Sequence, residues 1–206
     1  MTKLLYLSAS PRGEIAASHQ AANIFLEALP GSVEVNHVNL FERELPEVTA
    51  EVTSAKFKSF LGMDMEDEES RQWKAITDVV DEFLAADHYL MSIPMWNFGI
   101  PYKFKHYIDA INHPGLTFTR DENGPRGLAS GTATIIYARG GDYSPKDGKP
   151  DPMDFQSPYM KAWLMSVGIT DVNEVLVQNT MGGPDVLQQS LDAARNQLIA
   201  GALKVQ

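Results

Sequence analysis

Three short segments, Lys3–Ser8, His88–Ile93 and Thr132–Ala138, are apolar on nearly every residue rather than on alternate ones. A strand with one solvated face alternates; a short run that is apolar on both sides must be covered on both, as in the middle of a parallel sheet. Two further strands read from the pattern: Val33–Leu40, which alternates, and Val172–Gln178. Amphipathic or capped segments lie between them. Ser18–Leu29 presents Ala21, Ala22, Phe25, Leu26 and Leu29 on one face, with Ser18 as its expected N-cap and Pro30-Gly31 as its stop. Arg71–Ala85 presents Trp73, Ile76, Val79, Val80, Phe83 and Leu84. Pro101–Ile111, Phe155–Val167 with Gly168 after it, and Val186–Leu203 with Pro184 near its start complete the helical set, and Ser54–Leu61 reads as a short helix. Strands alternating with helices predict an α/β fold with a five-stranded parallel sheet and helices on both faces.

The order expected for five such strands is the flavodoxin-like 2-1-3-4-5, a three-layer sandwich within one domain spanning residues 1–206. A dinucleotide-binding sheet would carry a glycine fingerprint after its first strand, where this chain has Ser8-Ala-Ser-Pro-Arg-Gly13. The acidic run Asp64–Glu69 reads as a solvated loop or a helix start. Gly115–Gly127, with the turn signal Asn123-Gly124-Pro125, reads as a hairpin excursion, and Asp142–Pro152 as a long loop.

Charge and composition remove several classes of function. The net charge is −10 and no basic run is present, so no nucleic-acid partner is expected. The absence of cysteine excludes disulfides, thiolate metal sites and a cysteine nucleophile. The five histidines are scattered without metal-ligand spacing, so no metal is expected. No apolar stretch approaches the roughly 20 residues of a membrane span, and Leu4–Leu7 is too short for a secretory signal. A cytoplasmic protein without membrane partners is the expectation.

Three strand-end loops carry the chemistry, and the sheet order brings them to one edge. The first, Ser8–Ser18, offers hydroxyls at Ser8, Ser10 and Ser18 where the chain enters a helix, which makes an anion cradle suited to one phosphate. The second, Met95-Trp96-Asn97-Phe98, sets an amide between aromatics inside a Pro94–Pro101 bracket, as a flat heteroaromatic ligand requires. The third, Ala138-Arg139-Gly140-Gly141, lets the backbone approach a ligand. None contains an evident acid–base group, so no catalytic side chain is expected and a bound cofactor would do the chemistry.

Met95–Pro101, Lys105–Asp109, Gly115–Phe118, Glu122–Pro125, Arg139–Gly141, Ser157–Tyr159 and Gly168–Val172, in that order, resemble the family of FMN-dependent NADH azoreductases, which are also quinone reductases. The resemblance implies a homodimer with one FMN per subunit and NADH or NADPH as donor. It places the phosphate on Ser10, Ala16, Ala17 and Ser18, and the ring on Met95, Trp96, Asn97 and Phe98 and on Ala138, Arg139, Gly140 and Gly141. Phe118, Tyr159 and Trp163 are the implied substrate-side residues. The implied reaction passes a hydride through FMN to quinones and to aromatic azo compounds in two alternating half-reactions. The chain departs from the family's usual pattern with Ala16 and Ala138 in place of hydroxyl-bearing residues and Trp96 in place of Tyr. The rival reading is a flavodoxin-like electron carrier with no substrate chemistry of its own.

Overall fold

The computed structural model describes residues 1–122 and 124–205. The apolar runs form a five-stranded parallel sheet of β1 (Thr2–Ser8), β2 (Val33–Asn39), β3 (His88–Pro94), β6 (Thr132–Ala138) and β7 (Asp171–Val177). Its order is β2-β1-β3-β6-β7. The inserted β4 (Phe118–Asp121) and β5 (Gly124–Gly127) form a separate antiparallel hairpin. Asn123, the expected turn residue, lies outside the described residues. Counting only the main sheet, the order is the expected 2-1-3-4-5.

The period-2 geometry of a strand sorts the side chains of β1 onto two faces. Leu5 and Leu7 join the core beneath α2 (Ala50–Leu61), α3 (Asp67–Leu84), α4 (Tyr102–Ile111) and α5 (Gln156–Val167). Leu4 and Tyr6 join the core beneath α1 (Ala17–Glu27) and α6 (Pro184–Ala202). The central strands are therefore buried on both faces, which is why they lack alternation. Phe83 marks the centre of the first layer: it is fully buried and meets the rings of Tyr89 at 4.7 Å and Trp163 at 5.9 Å. Truncating such a residue to alanine costs roughly 3–5 kcal/mol.

Local chemistry moved several helix boundaries. Thr49 accepts from the Val52 N–H and starts α2 earlier than the hydrophobic pattern does. The acidic run is the start of α3: Glu66 and Glu69 form a reciprocal capping box, and Glu69 also takes the Lys58 ammonium at 2.6 Å. Ser18 is not the cap of α1. The cap is Ala16, which has no oxygen to offer, and no side-chain cap bond forms. The hairpin is pinned where Gly127 crosses Gly168 at the end of α5; a Cβ on Gly127 would lie 2.0 Å from the Val167 carbonyl carbon. Among the described residues, no helix is long and apolar enough to cross a membrane.

Candidate cofactor site

The carboxyl ends of β1, β3 and β6 are neighbours in the sheet, so the three sequence-marked loops lie side by side. At the first, the chain leaves Ser8, makes a short 3₁₀ turn at Gly13–Ile15 and enters α1 at Ala17. The helix ladder begins with His19 and Gln20 donating to the Ala16 carbonyl at 3.0 Å. Among the described residues, no acceptor meets the N–H groups of Ala17 or Ser18. Ser18 is 1% exposed and its Oγ has no partner in the protein. Buried hydroxyls are usually paired, so this one is free to meet a ligand. Ser10 is also buried, and its Oγ accepts from the Arg12 N–H at 3.3 Å while keeping its own proton to donate. A missing cap, two open N–H groups and two inward hydroxyls at a helix start fit a phosphate. Ala17 can offer only its backbone N–H, and the Ala16 N–H already donates to the Gly13 carbonyl at 3.0 Å.

A polar cluster braces this loop from below. Tyr6 Oη lies 3.1 Å from Ser92 Oγ and 3.3 Å from His19 Nδ1, while His19 Nε2 reaches Glu14 in the 3₁₀ turn at 3.0 Å. Burial, against a bond from Ser92, pushes the Tyr6 phenol up to about 12, so it keeps its proton at neutral pH. His37 stacks on Tyr6 at 4.3 Å and bonds Ser8 Oγ at 2.9 Å; burial and the neighbouring His19 hold its pKa below the usual histidine value.

The second loop is a two-residue reversal. Trp96 and Gly99 exchange both backbone hydrogen bonds at 3.0 Å, and the residues between them have left-handed φ, +48° at Asn97 and +70° at Phe98. Two positive φ angles in succession make a type I′ turn, favourable for Asn and strained for Phe. Strain of this kind persists only where the surroundings enforce it, and it gathers at ligand sites. Here the Phe98 carbonyl accepts from the Phe155 N–H at 3.1 Å, and Met95 N–H donates to the Ala138 carbonyl at 2.8 Å. Among the described residues, the N–H groups of Asn97 and Phe98 and the Asn97 amide have no protein partner. The Trp96 ring packs with Phe41 at 5.6 Å and Tyr102 at 6.4 Å.

In the third loop Gly140 and Gly141 likewise present N–H groups with no partner among the described residues. Arg139 is held inside the protein. It is 1% exposed; its N–H donates to the Val177 carbonyl, its Nε to Gln156 and its Nη2 to Asp154. A guanidinium turned inward and paired in this way braces the loop. Tyr143, which the sequence reading missed, stands edge-on to Phe98 at 6.5 Å. Gln178 holds it there: its Oε1 accepts from the Tyr143 N–H, and its Nε2 bonds Asp142 and Ser144.

The three substrate-side residues do not converge. Trp163 is 5% exposed and belongs to the core, edge-on to Phe104 at 6.0 Å. Tyr159 lies exposed on α5. Phe118 faces an apolar groove of about 690 Å³ with Phe57, Phe60 and Pro114. Among the described residues no ring contact links any of the three to Trp96 or Phe98.

Comparison with known proteins gives this edge a family. Residues 2–201 match the family described as having a flavodoxin-like fold. The chain is 40% identical over 206 residues to an FMN-dependent NADH:quinone oxidoreductase of Desulfotalea psychrophila, covering 97% of this chain and 96% of that one. It is 38% identical over 203 residues to FMN-dependent NADH:quinone oxidoreductase 3 of Pseudomonas fluorescens, covering 96% and 94%. Among solved structures, an azoreductase from Bacillus anthracis superposes with a TM-score of 0.87 at 28% identity, over 99% of this chain and all of the other. An FMN-dependent NADH-azoreductase of the same species, solved in complex with FMN, gives 0.85 at 27% identity, over 98% of this chain and all of the other. Identity at that level along nearly the full length, on a sheet edge built for a phosphate and a flat ring, means that the chain belongs to the flavodoxin-like family of FMN-dependent NADH:quinone oxidoreductases.

Proposed function

We propose that this chain binds one FMN per subunit across the three loops and uses it to pass electrons from NADH to quinones and to aromatic azo compounds. The observation that carries the reading is the unpartnered, buried Ser18 hydroxyl beside two open helix N–H groups, next to the strained Asn97–Phe98 turn. Ser10, Ser18 and the N–H groups of Ala17 and Ser18 take the phosphate; Ala16, whose N–H donates to the Gly13 carbonyl, and Ala138, whose carbonyl accepts from Met95, shape the loops without a side-chain bond. Asn97, Phe98, Gly140 and Gly141 turn N–H groups toward the polar edge of the ring, where charge develops during reduction. Trp96 and Met95 wall one side, and Phe98 with Tyr143 forms a rim that excludes water.

When bound, FMN supplies the hydride chemistry that no side chain of the site offers: it takes two electrons from the nicotinamide and gives them to the acceptor. A quinone consumes two electrons and two protons to become a hydroquinone. Cleavage of an azo bond to two amines consumes four of each, and so two molecules of NADH. The donor and the acceptor occupy the same open face in turn, which is a ping-pong scheme. NADH is the donor we assign, with NADPH use an open comparison for the same assay. We assign a homodimer, in which a second copy of the chain completes the open face, and a cytoplasmic location. Initial rates measured while NADH and a benzoquinone are varied should give parallel double-reciprocal lines. Intersecting lines would refute the alternating scheme, and a purified protein that takes up no FMN would refute the cofactor assignment.

A further inference from the structure

Asp154, Phe155 and Gln156 are consecutive, and each bonds a different part of the site. Phe155 N–H holds the Phe98 carbonyl of the strained turn at 3.1 Å. Gln156 Nε2 donates to the Ile93 carbonyl at 3.1 Å, just before the Met95 loop, while its Oε1 accepts from Arg139 Nε at 3.1 Å. Asp154 Oδ2 accepts from Arg139 Nη2 at 3.0 Å. Gln156 is fully buried, and each end of its amide has a partner that only one orientation satisfies. Arg139 also lies 5.2 Å over the Tyr137 ring, with 2% of its side chain exposed against 10% for Asp154. One strut therefore spans the two loops whose open N–H groups face the same edge.

We propose that Arg139, Gln156 and Asp154 are positioning residues that set the distance between the two ring-side loops, and that the Arg139–Asp154 charge balance sets the reduction potential of the flavin held there. This inference rests on the FMN reading above. The pair is buried, so a charge left over in it is poorly screened by salt. Two-electron reduction places negative charge on the ring's polar edge. An uncompensated Arg139 favours the reduced form, and an uncompensated Asp154 favours the oxidised one. Gln156 carries no charge, so its loss loosens the loops and weakens both forms together.

The test is Asp154→Asn, Arg139→Gln and Gln156→Met in FMN-loaded protein, with the potential read by equilibration against a redox dye and FMN affinity by flavin fluorescence. Asp154→Asn should favour reduced over oxidised FMN about tenfold, a rise of about 30 mV for a two-electron couple. Arg139→Gln should lower the potential by a similar amount. Gln156→Met should weaken FMN about tenfold with the potential nearly unchanged. A merely structural role would lower melting temperatures without giving the two charge variants opposite signs. Shifts of the same sign, or a wild-type potential and affinity in all three, would overturn the inference. If neither charge variant folds, Gln156→Met decides: wild-type FMN affinity there refutes the strut. Wild-type protein that takes up no FMN would instead overturn the cofactor reading itself, a separate and prior outcome.

Discussion

Removing the Ser18 hydroxyl should strengthen the empty protein and weaken the loaded one. In the apoprotein Ser18 Oγ is buried without a partner, and the side chain is 1% exposed. An unsatisfied buried hydroxyl costs about 1–3 kcal/mol, a cost that alanine does not carry. Alanine is also the better residue in the first turn of α1, by a few tenths of a kcal/mol. Ser18→Ala apoprotein should thus melt no lower than wild type and up to several degrees higher, at about 2–4 °C per kcal/mol for a domain of this size. In the loaded protein the same hydroxyl donates to a phosphate oxygen, a charge-assisted bond worth about 1.5–3 kcal/mol. Its loss should weaken FMN roughly 10- to 150-fold. The pair of assays is thermal unfolding of FMN-free protein and titration of the same sample by flavin fluorescence quenching. An apoprotein destabilised by more than about 1 kcal/mol would mean that Ser18 has a structural partner, and an unchanged Kd would mean that it does not touch the phosphate.

Other outcomes follow from single residues. Asn97 holds φ +48°, so Asn97→Ala should cost about 1 kcal/mol of stability while Asn97→Gly costs none; both lose the side-chain amide and should bind FMN more weakly, read by melting and titration. Burial holds His88 at about 4, against about 6.5 in the unfolded chain. Between those values the unfolded state binds the extra proton, so stability is full above pH 6.5, falls as pH drops towards 4, and levels below it. For His88 alone that loss is roughly 3 kcal/mol; urea unfolding at pH 7 and pH 5 should show its onset, and His88→Asn should remove that share, leaving the part due to His113, which burial also holds at about 4. Gly127→Ala would set a Cβ 2.0 Å from the Val167 carbonyl carbon and the Gly168 nitrogen, both backbone atoms that cannot rotate aside. It should cost about 3 kcal/mol or more, seen as loss of soluble protein or a sharply lower melting temperature.

What the sequence displayed was what local chemistry decides. The double-sided apolar runs gave the strands and their order, because only a central parallel strand is buried on both faces. The cradle at Ser10–Ser18 and the turn at Asn97–Phe98 were visible as hydroxyls before a helix and as an amide bracketed by prolines. Where a side chain's surroundings were not legible, partners distant in the chain decide them. Arg139 looked like a ligand residue on its Gly-Gly loop until Asp154 and Gln156, 15 and 17 positions on, claimed its guanidinium. Trp163 had the same pattern whether it faced a cofactor or Phe83 and Phe104. Tyr143 and its tether Gln178, 35 residues apart, left no periodic trace. Asp154 did leave one: an aspartate three residues before Ser157 at a helix start, whose N–H and that of Gln156 it accepts. Ser18 reads as a cap on composition, and the observed cap is Ala16, two residues earlier, with no side-chain oxygen to offer.

The central claim, that this edge carries FMN which NADH reduces without an acceptor present, is tested most directly by one anaerobic half-reaction. Protein reconstituted with FMN is mixed with NADH in a stopped-flow cell and the visible flavin absorbance is followed. The account predicts bleaching of one FMN per chain by NADH alone, and full return of the colour when a benzoquinone is added. A bound flavin that stays yellow with NADH until the acceptor is also present would contradict it.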